Sequence, residues 1–187
     1  MKELREKTSA MKPDFWLMGE VIHGEYSRWV NPEMLHSVTN YELHKALYSG
    51  HNDHNYFEIA HNVRRLEAVG KSLYTFVDNH DEDRIASKLN HPANLFPVYQ
   101  LLFTLPGIPS IYYGSEWGIE GKRSRTSDEV LRPALTLSGI DGKAPELISH
   151  IAALGKIHAE HDAFHSGSYK ELLLTNRKYA FSRSGEH

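Results

Sequence analysis

Cysteine is absent from the 187 residues, which excludes disulfides, thiolate nucleophiles and cysteine-ligated zinc. Runs of one charge sign are missing too. The 21 basic and 24 acidic side chains are interspersed and leave a formal charge of −3. A partner held through phosphates requires a basic stripe, so no nucleic-acid binding is expected. No Gly-x-Gly-x-x-Gly, Walker loop, His-Glu-x-x-His or EF-hand pattern occurs, and no Asn-x-Ser/Thr acceptor. Residues 1–8 are charged and polar with no apolar stretch behind them, so no secretory leader and a cytoplasmic location are expected. Residues 97–113 form a nearly apolar stretch. It is short for a bilayer span and is interrupted by Pro106-Gly107-Ile108-Pro109, so no membrane partner is expected.

Hydrophobic residues make up 40% of the chain, enough for a core. The length suits one domain or part of a larger one. A helix is predicted over residues 2–11, closed by the Lys12-Pro13-Asp14 turn. Residues 15–21 form an apolar run without alternation, the pattern of a strand covered on both faces. A second short strand is read over 35–41 and a brief helix over 42–48, stopped by Gly50. Residues 55–69 carry apolar side chains at helical spacing, with Gly70 as the stop signal. Then come a strand over 72–77, an apolar helix over 92–105, a buried strand over 110–113 and a helix over 145–161. Two strand-like runs, 169–174 and 179–182, flank the turn-like Asn176-Arg177. Strands alternating with helices argue for parallel βαβ units.

Three of these strands end in acids: Glu20, Asp81 and Glu116. In parallel α/β folds the C-terminal strand ends form the ligand face, so the three would converge there. Neighbouring carboxylates suit acid–base work, because proximity and burial separate their proton affinities. The plainer reading is that each acid opens a solvated loop.

Three segments carry a specific resemblance. Phe15-Trp16-Leu17-Met18-Gly19-Glu20-Val21, then Phe76-Val77-Asp78-Asn79-His80-Asp81-Glu82-Asp83-Arg84, then Gly107-Ile108-Pro109-Ser110-Ile111-Tyr112-Tyr113-Gly114-Ser115-Glu116 resemble the fifth-, seventh- and eighth-strand motifs of the α-amylase family, glycoside hydrolase family 13. The resemblance implies an α/β fold: half of a (β/α)8 TIM barrel, strands five to eight, over residues 1–165. Residues 166–187 would open a truncated C-terminal β domain, with a neopullulanase- and cyclomaltodextrinase-like flavour. It implies Glu20 as general acid/base and Asp81 as the carboxylate that stabilises the transition state. His80 would contact the sugar. Asn79 and Arg84 match the motif and are substrate-binding candidates, with a structural role the favoured reading of the two. Tyr113 and Glu116 would line or brace the pocket. Of the loop aromatics, Trp29, Tyr26 and Trp117 are candidates for stacking on sugar rings, and Tyr56 for packing.

The family's nucleophile lies in a Gly-x-Arg-x-Asp pattern on the fourth strand, and no such pattern occurs here. Retaining enzymes need that group ~5–5.5 Å from the acid, and a full barrel needs ~250 residues. The expectation is therefore a fragment, inactive alone, of an enzyme acting on α-glucans or maltooligosaccharides. The alternative is a non-catalytic half-barrel that binds sugar or a partner segment. No cofactor is expected in this chain; calcium would belong to the other half. The open barrel edge suggests self-association. His51-x-x-His54 with His61 raises a metal site against ordinary surface histidines, and surface histidines are the reading adopted.

Overall fold

The computed structural model of the protein describes residues 1–140 and 142–185. Helix α1 (Lys2–Met11) buries no residue. Strands β1 (Met18–Gly19) and β2 (Ser37–Val38) are followed by α2 (Tyr41–Asn52) and α3 (Tyr56–Arg65). Strand β3 (Tyr74–Phe76) leads through α4 (Ile85–Lys88) and α5 (Leu95–Thr104) to β4 (Ile108–Ser110). Helices α6 (Leu137–Ile140), α7 (Pro145–Glu160) and α8 (Asp162–His165) precede the hairpin β5 (Ser168–Leu174) and β6 (Tyr179–Ser184).

The first four strands form two parallel pairs. β1 meets β2 with Met18 opposite Ser37, and β3 meets β4 with Tyr74 opposite Ile108. A parallel bridge, Thr39 to Tyr74, links the pairs. There the Asn40 amide donates to the Tyr74 carbonyl at 2.8 Å. Asn40 also starts α2, its Oδ1 accepting the Leu43 amide at 3.0 Å, the role a short polar side chain fills at a helix N-terminus. Parallel strands separated by helices make this an α/β fold.

Two apolar clusters hold the layers together. Leu47, Ile59, Val98 and Leu102 lie in the larger, between helices and strands, and Leu17, Tyr26, Val38 and Leu73 form the smaller around β1–β3. Each such aliphatic side chain contributes ~1.5–3 kcal/mol on burial. The hairpin joins the larger cluster through Tyr169, Tyr179 and Phe181. It is also tied to α5, where Arg183 Nη1 donates to the Thr104 carbonyl at 2.9 Å. The last two residues of the 166–187 tail lie outside the described residues. Among the described residues, no helix is long and apolar enough to cross a membrane.

Several boundaries differ from the sequence reading. The run 15–21 is a strand only at Met18–Gly19. It is not covered on both faces: Phe15 and Trp16, ahead of the strand, are 43% and 47% exposed, and among the described residues β1 has a strand partner on one edge alone. Helix α2 continues through Gly50 to Asn52. Its missing side chain is what lets Ile59 of α3 approach, since a Cβ there would stand 3.0 Å from Ile59 Cγ1. The strand placed over 110–113 lies instead at Ile108–Ser110 and is partly exposed. Pro109 has no amide proton, so it suits a strand with an unpaired edge. Gly107, at φ +147°, lets the chain enter β4 against Thr75, where a Cβ would meet Thr75 Cγ2 at 2.4 Å. Residues 92–94 are a 3-10 turn ahead of α5, and Gly70 starts a 3-10 turn rather than ending a helix.

Candidate functional site

Glu20 directly follows β1, and Asp81 stands five residues beyond the end of β3. The two loops meet: one oxygen of Glu20, one ring nitrogen of His80 and one oxygen of Asp81 lie within 4.8 Å of one another. Gly19 permits the close approach beneath, because a Cβ there would fall 2.5 Å from Leu35 Cδ1.

Glu20 Oε1 accepts a hydrogen bond from the Tyr41 hydroxyl at 2.8 Å. That hydroxyl accepts from Asn79 Nδ2 at 2.9 Å. Asn79 Oδ1 in turn accepts the amides of Asp81 and Glu82, both at 2.9 Å, an Asx turn that pins the loop. Arg132 closes the other side. Its Nη2 donates to Asp81 Oδ1 at 2.7 Å, and its Nε donates to the His80 carbonyl at 3.1 Å. Burial, with Glu20 and Glu82 nearby, pushes the Tyr41 phenol up to about 12. Glu82 goes the other way, down to about 2, held by His44 and by the Lys88 ammonium.

Beside this group lies a hollow of about 370 Å³, lined among others by Glu20, Asn79, His80, Tyr74 and Tyr112. Its floor includes Asp78, which is 1% exposed. Asp78 accepts the Ile85 amide at 2.7 Å and the Ser115 hydroxyl at 2.8 Å. Burial raises its proton affinity, while those donors and the Arg84 charge oppose the rise. A roomier hollow of about 490 Å³ lies between α3 and β5. It contains none of the strand-end acids, whereas Glu20 lines the smaller one.

Glu20, His80, Asn79 and Asp81 are thus brought together. Arg84 is not available to a ligand. It is 0% exposed, with Nη1 donating to the Tyr113 carbonyl and Ser115 hydroxyl and Nη2 to the Leu131 carbonyl. It is a buried brace, because a guanidinium sealed from water needs acceptors of its own. Tyr113 donates to the Pro133 carbonyl at 2.9 Å and does not line the hollow; its neighbour Tyr112 does. Trp29 also lies outside the lining, exposed on its own turn. Tyr26 is 0% exposed and belongs to the core, which removes it as a stacking surface. Glu116 and Trp117 form a 3-10 turn away from the lining.

Sequence reading missed Tyr41, Arg132 and Tyr112. Tyr41 and Tyr112 were findable, since each follows the end of a parallel strand. Arg132 stands in a loop, and no local signal ties it to Asp81.

Glu20, His80 and Asp81 also have the donor types to embrace a cation. The Arg132 charge already on Asp81 opposes that use. Among the described residues no group of three ligands includes His51, His54 or His61. His51 is buried, with Nδ1 at 2.6 Å from the Leu47 carbonyl.

Parallel strands alternating with helices, their C-terminal ends gathering acidic side chains, define the α/β class whose sites occupy that rim. The family described as alpha amylase, catalytic domain, matches residues 1–153. The chain belongs to the alpha-amylase family. A maltogenic alpha-amylase from Bacillus acidopullulyticus is 26% identical over 167 residues, covering 85% of this chain and 28% of the relative. A cyclomaltodextrinase from Thermoanaerobacter pseudethanolicus is 26% identical over 192 residues, covering 97% of this chain and 32% of the relative. The chain therefore spans 28–32% of the length of these curated relatives. An Anoxybacillus alpha-amylase structure superposes with a TM-score of 0.85 at 23% identity, covering 99% of this chain and 42% of that one.

Proposed function

We propose that residues 1–165 supply the second half of a (β/α)8 catalytic domain acting on α-glucans with retention, and that 166–187 open a C-terminal β domain. The observation that carries this is the meeting of Glu20, His80 and Asp81 within 4.8 Å beside a hollow. Glu20 would protonate the glycosidic oxygen as it leaves and then take a proton from the attacking water. Asp81 would stabilise the oxocarbenium-like charge, with His80 and Asn79 orienting sugar hydroxyls. The sequence has no Gly-x-Arg-x-Asp pattern, so in this reading the nucleophile comes from a second segment and the chain alone is expected not to turn over substrate. The names of the relatives, maltogenic amylase and cyclomaltodextrinase, support a malto-type α-glucan as substrate. No cofactor is assigned to these residues. The cytoplasmic location is supported by a 25% identical relative named an intracellular maltogenic amylase, from Bacillus subtilis.

Calorimetry of the chain with maltotetraose tests the site. Weak binding is expected, with a Kd on the order of 1 mM, abolished by His80→Ala. Binding that ignores this substitution would refute the site, and hydrolysis of 4-nitrophenyl α-maltoside by the chain would refute the missing nucleophile.

The unpaired edge of β1, flanked by exposed Phe15 and Trp16, supports closure by a further segment or a second copy. Light scattering at high concentration tests this, and a stable monomer counts against it.

A further inference from the structure

We infer that Tyr41 is the positioning residue of Glu20: it orients the carboxylate, tunes its hold on a proton and ties it to the loop that carries His80 and Asp81. The inference rests on the reading of Glu20 as proton donor.

The direction of every bond in the chain is determined by chemistry. Asn79 receives two backbone amides, from Asp81 and Glu82. Amides only donate, so the atom facing them is the side-chain oxygen, and the atom facing Tyr41 is the nitrogen. That nitrogen also only donates, and it points at the Tyr41 hydroxyl at 2.9 Å. The phenol has a single proton. With a donor already on its oxygen, that proton goes to Glu20 Oε1, 2.8 Å away. Oε1 thereby accepts one bond that Oε2 does not receive from Tyr41, which favours Oε2 as the oxygen that carries a proton.

The phenol is well placed for a fixed role. Tyr41 is the first residue of α2, behind the Asn40 cap. Its ring is packed edge-on against Phe76 of β3, with centroids 5.0 Å apart, so a rotation that would release Glu20 is blocked. Burial pushes its proton loss up to about 12, and it stays a donor at any working pH. The charged groups around the pair come from each packed element. They are Asp81 with its Arg132 partner, Glu82 with Lys88, and the imidazoles of His44 and His80. None of them forms a hydrogen bond with the Tyr41 hydroxyl, whose bonds run to Glu20 and Asn79.

A carboxylate that loses a hydrogen bond to its charged form holds a proton more tightly. Carbon-13 NMR titration of the Glu20 carboxyl in the full chain reads this directly. Tyr41→Phe is expected to raise the Glu20 pKa by about one unit. Replacement of Tyr41 by 3-fluorotyrosine, of nearly the same shape but a stronger donor, is expected to lower it. Shifts of opposite sign separate proton tuning from a merely structural role. A Glu20 pKa constant within about 0.2 unit in both proteins, or shifts of the same sign, would overturn the inference. Should Tyr41→Phe fail to fold, the fluorotyrosine protein decides alone: a fall supports the inference, and no fall overturns it. Neither readout involves sugar or turnover. A failed functional reading would therefore appear as loss of maltotetraose binding with the titration shifts intact.

Discussion

Replacing Arg84 with methionine probes the buried brace beneath the site. The wild-type guanidinium donates to Tyr113 O at 2.7 Å, Ser115 Oγ at 3.0 Å and Leu131 O at 2.8 Å, and its Cζ lies 4.2 Å from the Tyr112 ring centre. Ser115 Oγ passes the interaction on, its one proton going to the Asp78 carboxylate, whose Oδ2 and Oδ1 stand 2.8 and 2.9 Å away. Methionine fills much of the volume but donates nothing. Three acceptors lose their partner, and the Asp78 charge loses its counter-charge. Removing one member of a buried charged network costs ~3–5 kcal/mol. With a urea slope of about 2 kcal/mol/M, the unfolding midpoint falls by roughly 2 M at pH 7. The pH dependence carries a sign. Burial already raises the Asp78 pKa, with Arg84 pulling the other way, so the variant's pKa is higher still. A carboxyl whose folded pKa exceeds its unfolded value of ~3.9 costs stability at high pH, and the cost vanishes as pH falls towards that unfolded value. The gap between variant and wild type therefore narrows from pH 7 to about pH 4. Urea unfolding at both pH values is the assay. A loss below about 1 kcal/mol, or the same loss at both pH values, refutes the reasoning.

Three other perturbations have definite expected outcomes. Glu82→Gln removes a carboxylate held down to about 2 by His44 and Lys88. A depressed folded pKa contributes stability above the unfolded value of ~4.3, lost as pH falls towards about 2, so the variant should lose ~1–2 kcal/mol at pH 7, after allowance for solvent screening, and nothing at pH 2 in thermal melts. Arg132→Ala frees Asp81 from a surface pair; stability should change by less than ~1 kcal/mol, while maltotetraose binding measured by calorimetry weakens. Gly107→Ala forces a side chain into φ +147° and onto Thr75 Cγ2; a loss of ~1–3 kcal/mol in denaturant unfolding is expected.

Local chemistry made several elements legible. The helices at Lys2–Met11 and Pro145–Glu160 and the hairpin strands Ser168–Leu174 and Tyr179–Ser184 follow from helix formers, turn residues and alternation within a few positions. Positions of the acids were equally local, since Glu20 and Asp81 each follow an apolar run. Strand covering was not. The pattern over 15–21 describes a strand's own polarity, whereas exposure of Phe15 and Trp16 depends on what stands beside β1. The shift of the last parallel strand to Ile108–Ser110 likewise came from pairing with β3, which tolerates Pro109 because the other edge of β4 is unpaired among the described residues.

Sequence alone determined which side chains of this protein carry charge and protons, and that two acids each follow an apolar segment of an α/β pattern. Tertiary structure decided which of them share a site. It sealed Arg84 and Tyr26 away from solvent, left Trp29 outside the hollow, and brought Tyr41 and Arg132 onto Glu20 and Asp81. The reason is physical: a residue's type and its neighbours in the chain set its chemistry. Its partners are set by packing between strands and helices far apart in sequence, where burial and the need to satisfy every buried polar group choose the contacts.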